Sequence, residues 1–311
     1  MVRNACGRHG VQVLEATETA CCRGSNPIGI LFFAVLYVGC YWGVHIGVFP
    51  LLDGNDVSLW HRYAGMAVAT LILYFFIMAA FGDPGKITSQ NIDAMLQLYP
   101  SDGILFPKPP IQCTTCRRLK PARSKHCNAT KACVARFDHW CIWINNAVGL
   151  YNTRHFLFFL LTTSVACAYG AIVGVWVIAA DMRRRGAWDT TWVDPKNGGL
   201  IKLGDRWTLV VQFVLGRYPG ATIVAFFAIA FWIVLGFTIA QVRRICEGVT
   251  TNESFKIKEL GDDAFVLEQA RQAYNRGWKR NLLEVLWYEK YSGCGGGVGV
   301  GVGGGEEKKD R

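Results

Sequence analysis

Four long apolar stretches restrict what this chain can fold into. They cover residues 28–52, 63–81, 156–180 and 220–241, and the first contains no formally charged residue. A helix that crosses a bilayer needs about 20 predominantly apolar residues. A fifth run, 207–216, is too short to span and predicts an interfacial or packed segment. The sequence therefore predicts an all-α polytopic membrane protein with four transmembrane helices.

Composition narrows the class of protein further. Charged residues make up only 18% of the chain and aromatic residues 13%, which excludes a mainly disordered protein. The formal net charge of +10 indicates contact with an anionic partner, such as a lipid bilayer or phosphate groups.

The Lys and Arg residues of the loops predict the orientation. The loop at 82–155 carries ten Lys or Arg against four Asp, and Arg243 and Arg244 follow the fourth span. Because cytosolic loops carry an excess of Lys and Arg, this loop and both termini are predicted to be cytosolic. Three arginines, 183–185, oppose this assignment because they border the loop at 181–219, which is predicted to be lumenal.

The spans divide the chain into six segments. These are a cytosolic N-terminus (1–27), two spans with a short lumenal loop (28–81), a cytosolic loop (82–155), two spans with a second lumenal loop (156–241), a cytosolic C-terminal domain (242–292) and a flexible Gly-rich tail (293–311). The first segment lacks the residue order of a cleaved signal peptide, so the first span is predicted to stay as an anchor.

The distribution of cysteines supports the same orientation. Ten of the twelve fall in segments predicted to be cytosolic, and Cys40 and Cys167 fall inside spans. A lumenal domain stapled by disulfides would show the opposite distribution. Reduced thiols are candidates for metal binding or nucleophilic chemistry. Cys21, Cys22 and Cys246 lie near membrane ends and are candidates for acylation, with unmodified thiols as the alternative.

A metal site is predicted in the long cytosolic loop. Cys113 and Cys116 form a Cys-x2-Cys knuckle, and His126 and Cys133 follow within about 20 residues, which is zinc-ligand spacing. Four protein ligands leave zinc no open position, so the ion would be structural. A set of reduced structural thiols is the alternative. The polar, basic surroundings offer little hydrophobic core, which favours zinc.

The same loop carries a candidate nucleophile. The run Asp138-His139-Trp140-Cys141 contains an acid, a base and a thiol. A thiolate nucleophile needs a base to take its proton, and the base needs an acceptor that orients it. The run directly precedes the third span, which places the thiol near the bilayer face.

These residues resemble a known family. Residues 113–156 resemble the cysteine-rich domain of the DHHC family of protein S-acyltransferases, whose pattern continues through Trp143, Asn145, Asn146, Gly149, Asn152 and Phe156. Three further family motifs are matched by Asp83-Pro84-Gly85, by Thr250-Thr251-Asn252-Glu253, and by the segment 274–281 with Gly277 and Asn281. The stretches 122–127 and 141–146 are most similar to the branch of the family found in the endoplasmic reticulum.

The resemblance implies a protein-cysteine S-palmitoyltransferase. By this resemblance His139, oriented by Asp138, takes the proton of Cys141, and the thiolate attacks palmitoyl-CoA or another long-chain acyl-CoA. The acyl-enzyme then passes its chain to a cysteine of a cytosolic or membrane-associated protein. The spans would form a cavity for that chain, in a membrane of the endoplasmic reticulum or Golgi.

Three more roles follow from the resemblance alone. Trp143 would bind substrate near the thioester. Thr251 and Asn281 would brace the catalytic loop and the C-terminal segment.

The chain departs from the family pattern in one place. The family has two zinc sites, each of three Cys and one His. By position, the first site is the intact set formed by Cys113, Cys116, His126 and Cys133. The second would use Cys127 and three positions that here hold Thr130, Trp140 and Ala147. One structural zinc is therefore expected, with packing of the Trp140 ring replacing the second.

Two other functions are left open by the sequence. An inactive family member would act as a membrane scaffold, against which the intact Asp138, His139 and Cys141 argue. A channel or transporter is disfavoured because the spans carry almost no ionisable residue besides His45.

The basic run in the long loop has its own alternatives. It is predicted to rest mostly on an anionic leaflet or to meet the phosphates of CoA. Nucleic acid is not an expected partner, because the run lacks a reading helix. Its members are Arg117, Arg118, Lys120, Arg123, Lys125, Lys131 and Arg136.

Overall fold

The computed structural model describes residues 27–53, 57–193 and 198–287. Its helices are α1 (Ile28–Gly47), α2 (Trp60–Phe81), α3 (Ile92–Leu98), α4 (Thr153–Arg184), α5 (Trp207–Arg217), α6 (Ala221–Cys246), α7 (Thr251–Glu259), α8 (Ala264–Gln272) and α9 (Trp278–Leu286). Of these, α1 with the 3-10 turn that continues it, α2, α4 and α6 are long and apolar enough to cross a membrane. The four-span prediction is confirmed, and the chain is an integral membrane protein.

Among the residues that the structure describes, three small antiparallel hairpins interrupt the helical fold. The first pairs β1 (Lys125–Cys127) with β2 (Ala132–Val134), and the second pairs β3 (His139–Cys141) with β4 (Asn146–Val148). Both lie in the loop between α2 and α4. The third pairs β5 (Thr191–Val193) with β6 (Leu200–Lys202), between α4 and α5.

The long helices extend beyond the apolar stretches that predict them. The helix α4 begins at Thr153 and ends at Arg184, and α6 continues to Cys246. Hydropathy marks the part of a helix that lies in lipid, whereas Arg is a good helix former and is favoured at a helix C-terminus. The short run at 207–216 forms α5, which packs through Val210 against the ends of α4 and α6, as predicted for a packed segment.

Glycines allow the spans to approach closely. A Cβ at Gly47 would lie 2.6 Å from the Cα of Gly220, where α1 meets the start of α6. A Cβ at Gly174 of α4 would lie 2.3 Å from Val224 of α6. Small residues at helix interfaces are the usual means of packing in lipid, where no hydrophobic drive brings helices together.

Two asparagines attach the β3–β4 hairpin to the end of α2. Asn146 donates hydrogen bonds to the carbonyls of Ala79 (3.2 Å) and Gly82 (2.9 Å). Asn152 donates to the carbonyls of Ala79 (3.2 Å) and Ala147 (2.8 Å). The β3–β4 hairpin is thereby held directly beneath α2 and the start of α4.

The N-terminal residues and the Gly-rich tail are outside the described part of the chain. The predictions for 1–26, including acylation of Cys21 and Cys22, and for the tail at 293–311 therefore stay predictions.

Candidate active site

Strand geometry puts the base and the thiol on one face of the β3–β4 hairpin. Alternate residues of a strand point to the same side, so His139 and Cys141 share a face and Trp140 points the other way. Cys141 is buried in an apolar cluster with Phe76 of α2 and Phe156 of α4. The thiol therefore lies at the junction of the hairpin with the membrane-spanning helices.

His139 is hydrogen-bonded on both sides. Its Nδ1 lies 2.6 Å from Oδ2 of Asp138, which leaves Nε2 for the thiol of Cys141, and the thiol hydrogen-bonds the ring. Burial lowers the pKa of His139, but the hydrogen bonds to Asp138 and Cys141 outweigh it and raise the pKa to about 9. The imidazole is thus a strong acceptor for the proton of Cys141.

Asp138 is fully buried and bound from three directions. The backbone N–H of Thr251 donates to Oδ1 (2.7 Å), its hydroxyl donates to Oδ2 (3.0 Å), and Gln241 Nε2 donates to Oδ2 (3.3 Å). Burial raises the pKa of Asp138, yet the His139 ring and the Thr251 donors lower it to about 2. Asp138 therefore stays a carboxylate that orients His139. The sequence does not predict this role for Gln241, because the residue only marks the end of an apolar span.

The residues of the Thr-Thr-x-Glu motif have two different structural roles. Thr250 accepts a hydrogen bond from the Glu253 N–H (3.2 Å), and Glu253 accepts one from the Thr250 N–H (2.8 Å). This reciprocal pair is a capping box, which fixes the start of α7. The start of α7 in turn presents Thr251 to Asp138.

Glu253 also forms a buried ion pair with Arg123. The guanidinium donates to both carboxylate oxygens, at 2.7 and 2.8 Å, and to the Gly248 carbonyl at 2.8 Å. The rings of Tyr99 and Tyr274 lie at 5.0 and 4.7 Å from its Cζ. This pair joins the cysteine-rich loop to the C-terminal domain.

Two of the seven basic residues of the long loop are buried and do not lie on a surface. Arg123 is 1% exposed and Arg136 is 5% exposed. Arg136 lies 3.8 Å from Glu284 of α9, and Glu284 also accepts a hydrogen bond from the Tyr99 hydroxyl. Each arginine pairs with a buried acid that lies more than a hundred residues further along the chain. The charge of the loop alone does not predict such a partner.

The four predicted zinc ligands converge on one point. Their ligand atoms lie within 4.8 Å of one another. Cys116 Sγ is 3.8 Å from Cys133 Sγ and 3.2 Å from His126 Nδ1. Tetrahedral zinc, with bonds of about 2.0–2.3 Å, separates its ligand atoms by about 3.5–3.8 Å, so the donor set fits. The cluster of Cys113, Cys116, His126 and Cys133 can hold a metal ion.

Apolar packing occupies the positions of the second family site. Cys127 and Ala147 are buried in one hydrophobic cluster with Val134 and Phe137, and the Trp140 ring packs against it. The strand register explains why Trp140 packs beside Ala147, because the two residues pair across the hairpin.

Trp143 and Asn281 take different positions around the hairpin. Trp143 is 55% exposed and lies 5.6 Å, ring to ring, from Phe32 of α1. Asn281 donates to the carbonyl of Cys246 at 2.8 Å and accepts from the Arg276 N–H at 3.0 Å. It therefore connects the end of α6 with the start of α9.

An apolar cavity of about 190 Å³ lies between the four spans. Phe33 lines the cavity and also packs against the cluster that contains Cys141. His61 and Tyr169 line the cavity too, and His61 Nδ1 is 2.7 Å from the Tyr169 hydroxyl. The cavity thus extends from the neighbourhood of the thiol to the opposite ends of the spans.

Comparison with known proteins agrees with this geometry. Residues 108–258 match the family model described as DHHC palmitoyltransferase. Palmitoyltransferase ZDHHC4 of Bos taurus is 33% identical over 214 residues, which is 67% of this chain and 60% of that protein. Palmitoyltransferase SWF1 of Yarrowia lipolytica is 42% identical over 144 residues, 46% of this chain and 35% of that protein. Palmitoyltransferase swf1 of Schizosaccharomyces pombe is 47% identical over 144 residues, 45% of this chain and 38% of that protein.

The chain spans about 60% of the length of the bovine relative. The residues that match the family model, 108–258, contain the β3–β4 hairpin, the metal-ligand cluster and the Thr-Thr-x-Glu motif. The chain belongs to the DHHC palmitoyltransferase family.

Proposed function

We propose that this protein is a protein-cysteine S-palmitoyltransferase with Cys141 as its nucleophile. The observation that supports this most directly is the chain of contacts from Asp138 through His139 to Cys141. The curated relatives are named palmitoyltransferases.

The proposed reaction has two steps. His139 Nε2 takes the thiol proton of Cys141, and the thiolate attacks the carbonyl carbon of palmitoyl-CoA. The carbon–sulfur bond to CoA breaks, and CoA leaves as a thiol after it is protonated by the imidazolium. In the second step His139 takes the proton of a cysteine thiol on a client protein, and that thiolate attacks the carbonyl carbon of the acyl-enzyme. The carbon–sulfur bond to Cys141 breaks, and the imidazolium returns the proton to the Cys141 thiolate. Asp138 keeps Nε2 directed at the thiol throughout.

Three supporting roles belong to the same proposal. The acyl chain lies in the cavity that passes Phe33, and Trp143 contacts the substrate at its entrance. Thr251 positions Asp138, and Asn281 holds the C-terminal segment against α6.

Zinc is the metal proposed for the Cys113, Cys116, His126 and Cys133 cluster. With four protein ligands it would supply no catalytic chemistry and would cross-link the loop that carries β1 and β2. The segment division, the cytosolic orientation and the location in an endomembrane belong to the proposal as well. The spans with the positive loops between and after them support these assignments.

Acyl-enzyme formation tests the proposal. The purified protein is incubated with labelled palmitoyl-CoA, and hydroxylamine-sensitive label on the protein is measured. The label is expected to disappear in Cys141→Ser and to remain in Cys127→Ser, a matched control because both thiols are buried in the same loop. Equal label in Cys141→Ser and wild type would exclude Cys141 as the nucleophile.

Metal analysis of the same preparation tests the zinc assignment. About one zinc per chain is expected, and Cys113→Ala should lower it. Two zinc ions per chain would show that Cys127 recruits other ligands.

A further inference from the structure

The ends of the spans remote from Cys141 carry arginines that acyl transfer does not use. Arg184 and Arg185 end α4, and Arg217 ends α5. Asp181 lies 25 residues after Phe156, which packs against Cys141, so the two ends of α4 are about 37 Å apart. These arginines include those that oppose the predicted orientation.

One buried acid holds two of these arginines. Asp181 is fully buried and accepts from Arg184 Nη2 (3.0 Å), Arg185 Nε (2.6 Å) and the Tyr218 hydroxyl (2.9 Å). The side chains of Arg184 and Arg185 are 48% and 57% exposed. Within the described ranges Arg217 has no ion-pair partner. Asp181 therefore balances only one of the two guanidinium groups that it binds, and Arg217 adds a further positive charge at these ends of the spans.

The unbalanced charge borders a cleft of about 440 Å³. Its polar wall includes Arg185, Arg217, Thr190 and the carboxylate of Asp181, which binds Arg185. Its apolar wall includes Leu51 and Phe213. Both arginines act on the Tyr218 hydroxyl, because their charges lower a pKa that burial and Asp181 raise to about 12. Tyr218 lines the same cleft as these two arginines.

Exposed aromatic rings place this cleft at the depth of lipid headgroups. Trp42, Trp60 and Trp207 are 61%, 71% and 76% exposed, and each lies near the same ends of the spans. Trp residues form belts where the hydrocarbon meets the headgroups. A cleft with a cationic wall and an apolar wall at that depth matches the two parts of a phospholipid.

We propose that this cleft binds an anionic phospholipid of the leaflet opposite the active site. The phosphate lies between Arg185 and Arg217, and an acyl chain runs along Leu51 and Phe213. Guanidinium groups bind phosphate oxygens bidentately and are favoured at such sites. A free phosphate ion shares the headgroup chemistry, but it would leave the apolar wall without a partner. The bound lipid explains why arginines are tolerated on the side that positive loops usually avoid.

Native mass spectrometry of the full chain in detergent tests this proposal. The micelles contain phosphatidylserine or phosphatidylcholine, and the lipids retained per protein are counted. The wild-type protein is expected to retain more phosphatidylserine than phosphatidylcholine. Arg217→Gln should retain roughly fivefold less phosphatidylserine than wild type. The double variant Arg185→Gln with Arg217→Gln should retain less than Arg217→Gln does. Arg243→Gln is the matched control, because it removes an exposed arginine at the other end of α6.

Three outcomes would overturn the lipid site. They are equal retention of the two lipids, equal retention of phosphatidylserine by wild type and the double variant, and displacement of the lipid by millimolar inorganic phosphate. The last would show a site for free phosphate. Both variants should keep the wild-type melting temperature in detergent, which reports that they are folded. Lipid counting does not depend on acyl transfer, so the two proposals can fail separately.

Discussion

Gln241 is a positioning residue that the family motifs do not include. Its amide donates to Asp138 and its carbonyl oxygen accepts from Arg244 Nη2 at 2.8 Å. Replacement by Leu removes one hydrogen-bond donor to the buried carboxylate of Asp138. A hydrogen bond to a charged group contributes about 1.5 kcal/mol. We expect Gln241→Leu to slow acyl-enzyme formation roughly tenfold, measured by quenched-flow labelling.

A second substitution separates electrostatics from packing at this position. Gln241→Glu keeps the shape but puts a negative charge beside Asp138, so it should slow the reaction more than Leu does. Gln272, which is exposed on α8, is the control site for the same two changes. A smaller effect of Glu than of Leu would contradict a role through Asp138.

The pair of Asp138 and His139 predicts how stability depends on pH. The pKa of His139 is raised from 6.5 to about 9, so its stabilisation is complete below pH 6.5 and is lost as the pH rises to about 9. The pKa of Asp138 is lowered from 3.8 to about 2, so its stabilisation is lost only as the pH falls through that range. Melting temperature in detergent should therefore fall between pH 6.5 and 9. The fall should be smaller in His139→Gln, and equal slopes in the two proteins would contradict the assignment.

At the level of the elements, a buried ion pair adds to the hydrogen bonds between the loop and α7. Arg123 and Glu253 are both 1% exposed. Removal of one partner from a buried pair costs about 3–5 kcal/mol, because the other charge stays buried and alone. We expect Glu253→Gln to lower the free energy of unfolding by an amount in that range, measured by denaturant titration in detergent.

The exposed pair of Arg243 and Glu247 is the matched control. Its side chains are 78% and 51% exposed, and solvent screens the attraction of an exposed pair. Glu247→Gln should therefore change stability little. Equal losses in Glu253→Gln and Glu247→Gln would show that the buried pair does not join the two segments.

Packing of Trp140 leads to a counterintuitive expectation for the family motif. Trp140→His restores the Asp-His-His-Cys sequence, but Thr130 and Ala147 still offer no ligand. The change should lose about 1–2 kcal/mol of packing and gain no zinc, measured by thermal unfolding and metal analysis. A second zinc ion in Trp140→His would show that the site can be completed by one residue.

These elements show which features a sequence can predict. The spans, the Cys113–Cys133 ligand set and the proximity of His139 to Cys141 depend on local patterns, namely apolar length, knuckle spacing and strand alternation. Arg123 with Glu253, Gln241 with Asp138, and Asp181 with its arginines depend on tertiary contacts between distant segments. A charge count treats Arg123 as part of a surface, because hydropathy carries no information about a partner 130 residues away.

At the scale of the whole molecule, the cavity between the spans relates the active site to the opposite leaflet. His61 lies 15 residues before Phe76, the α2 residue that packs against Cys141, which corresponds to about 22 Å along the helix. The hydrogen bond between His61 and Tyr169 places a polar pair in the cavity wall at that distance. An acyl chain bound at Cys141 would approach this pair with its methyl end.

The pair should therefore limit the length of the acyl chain. Tyr169→Ala removes the ring and the hydrogen bond and extends the cavity, so label from acyl-CoAs longer than palmitoyl-CoA should rise relative to palmitoyl label. Tyr63→Ala is the control, because Tyr63 belongs to the same end of α2 but is 60% exposed. The measurement is acyl-enzyme labelling over a series of chain lengths. An unchanged profile in Tyr169→Ala would mean that the chain does not reach this end of the cavity, and that its length is selected nearer to Phe33.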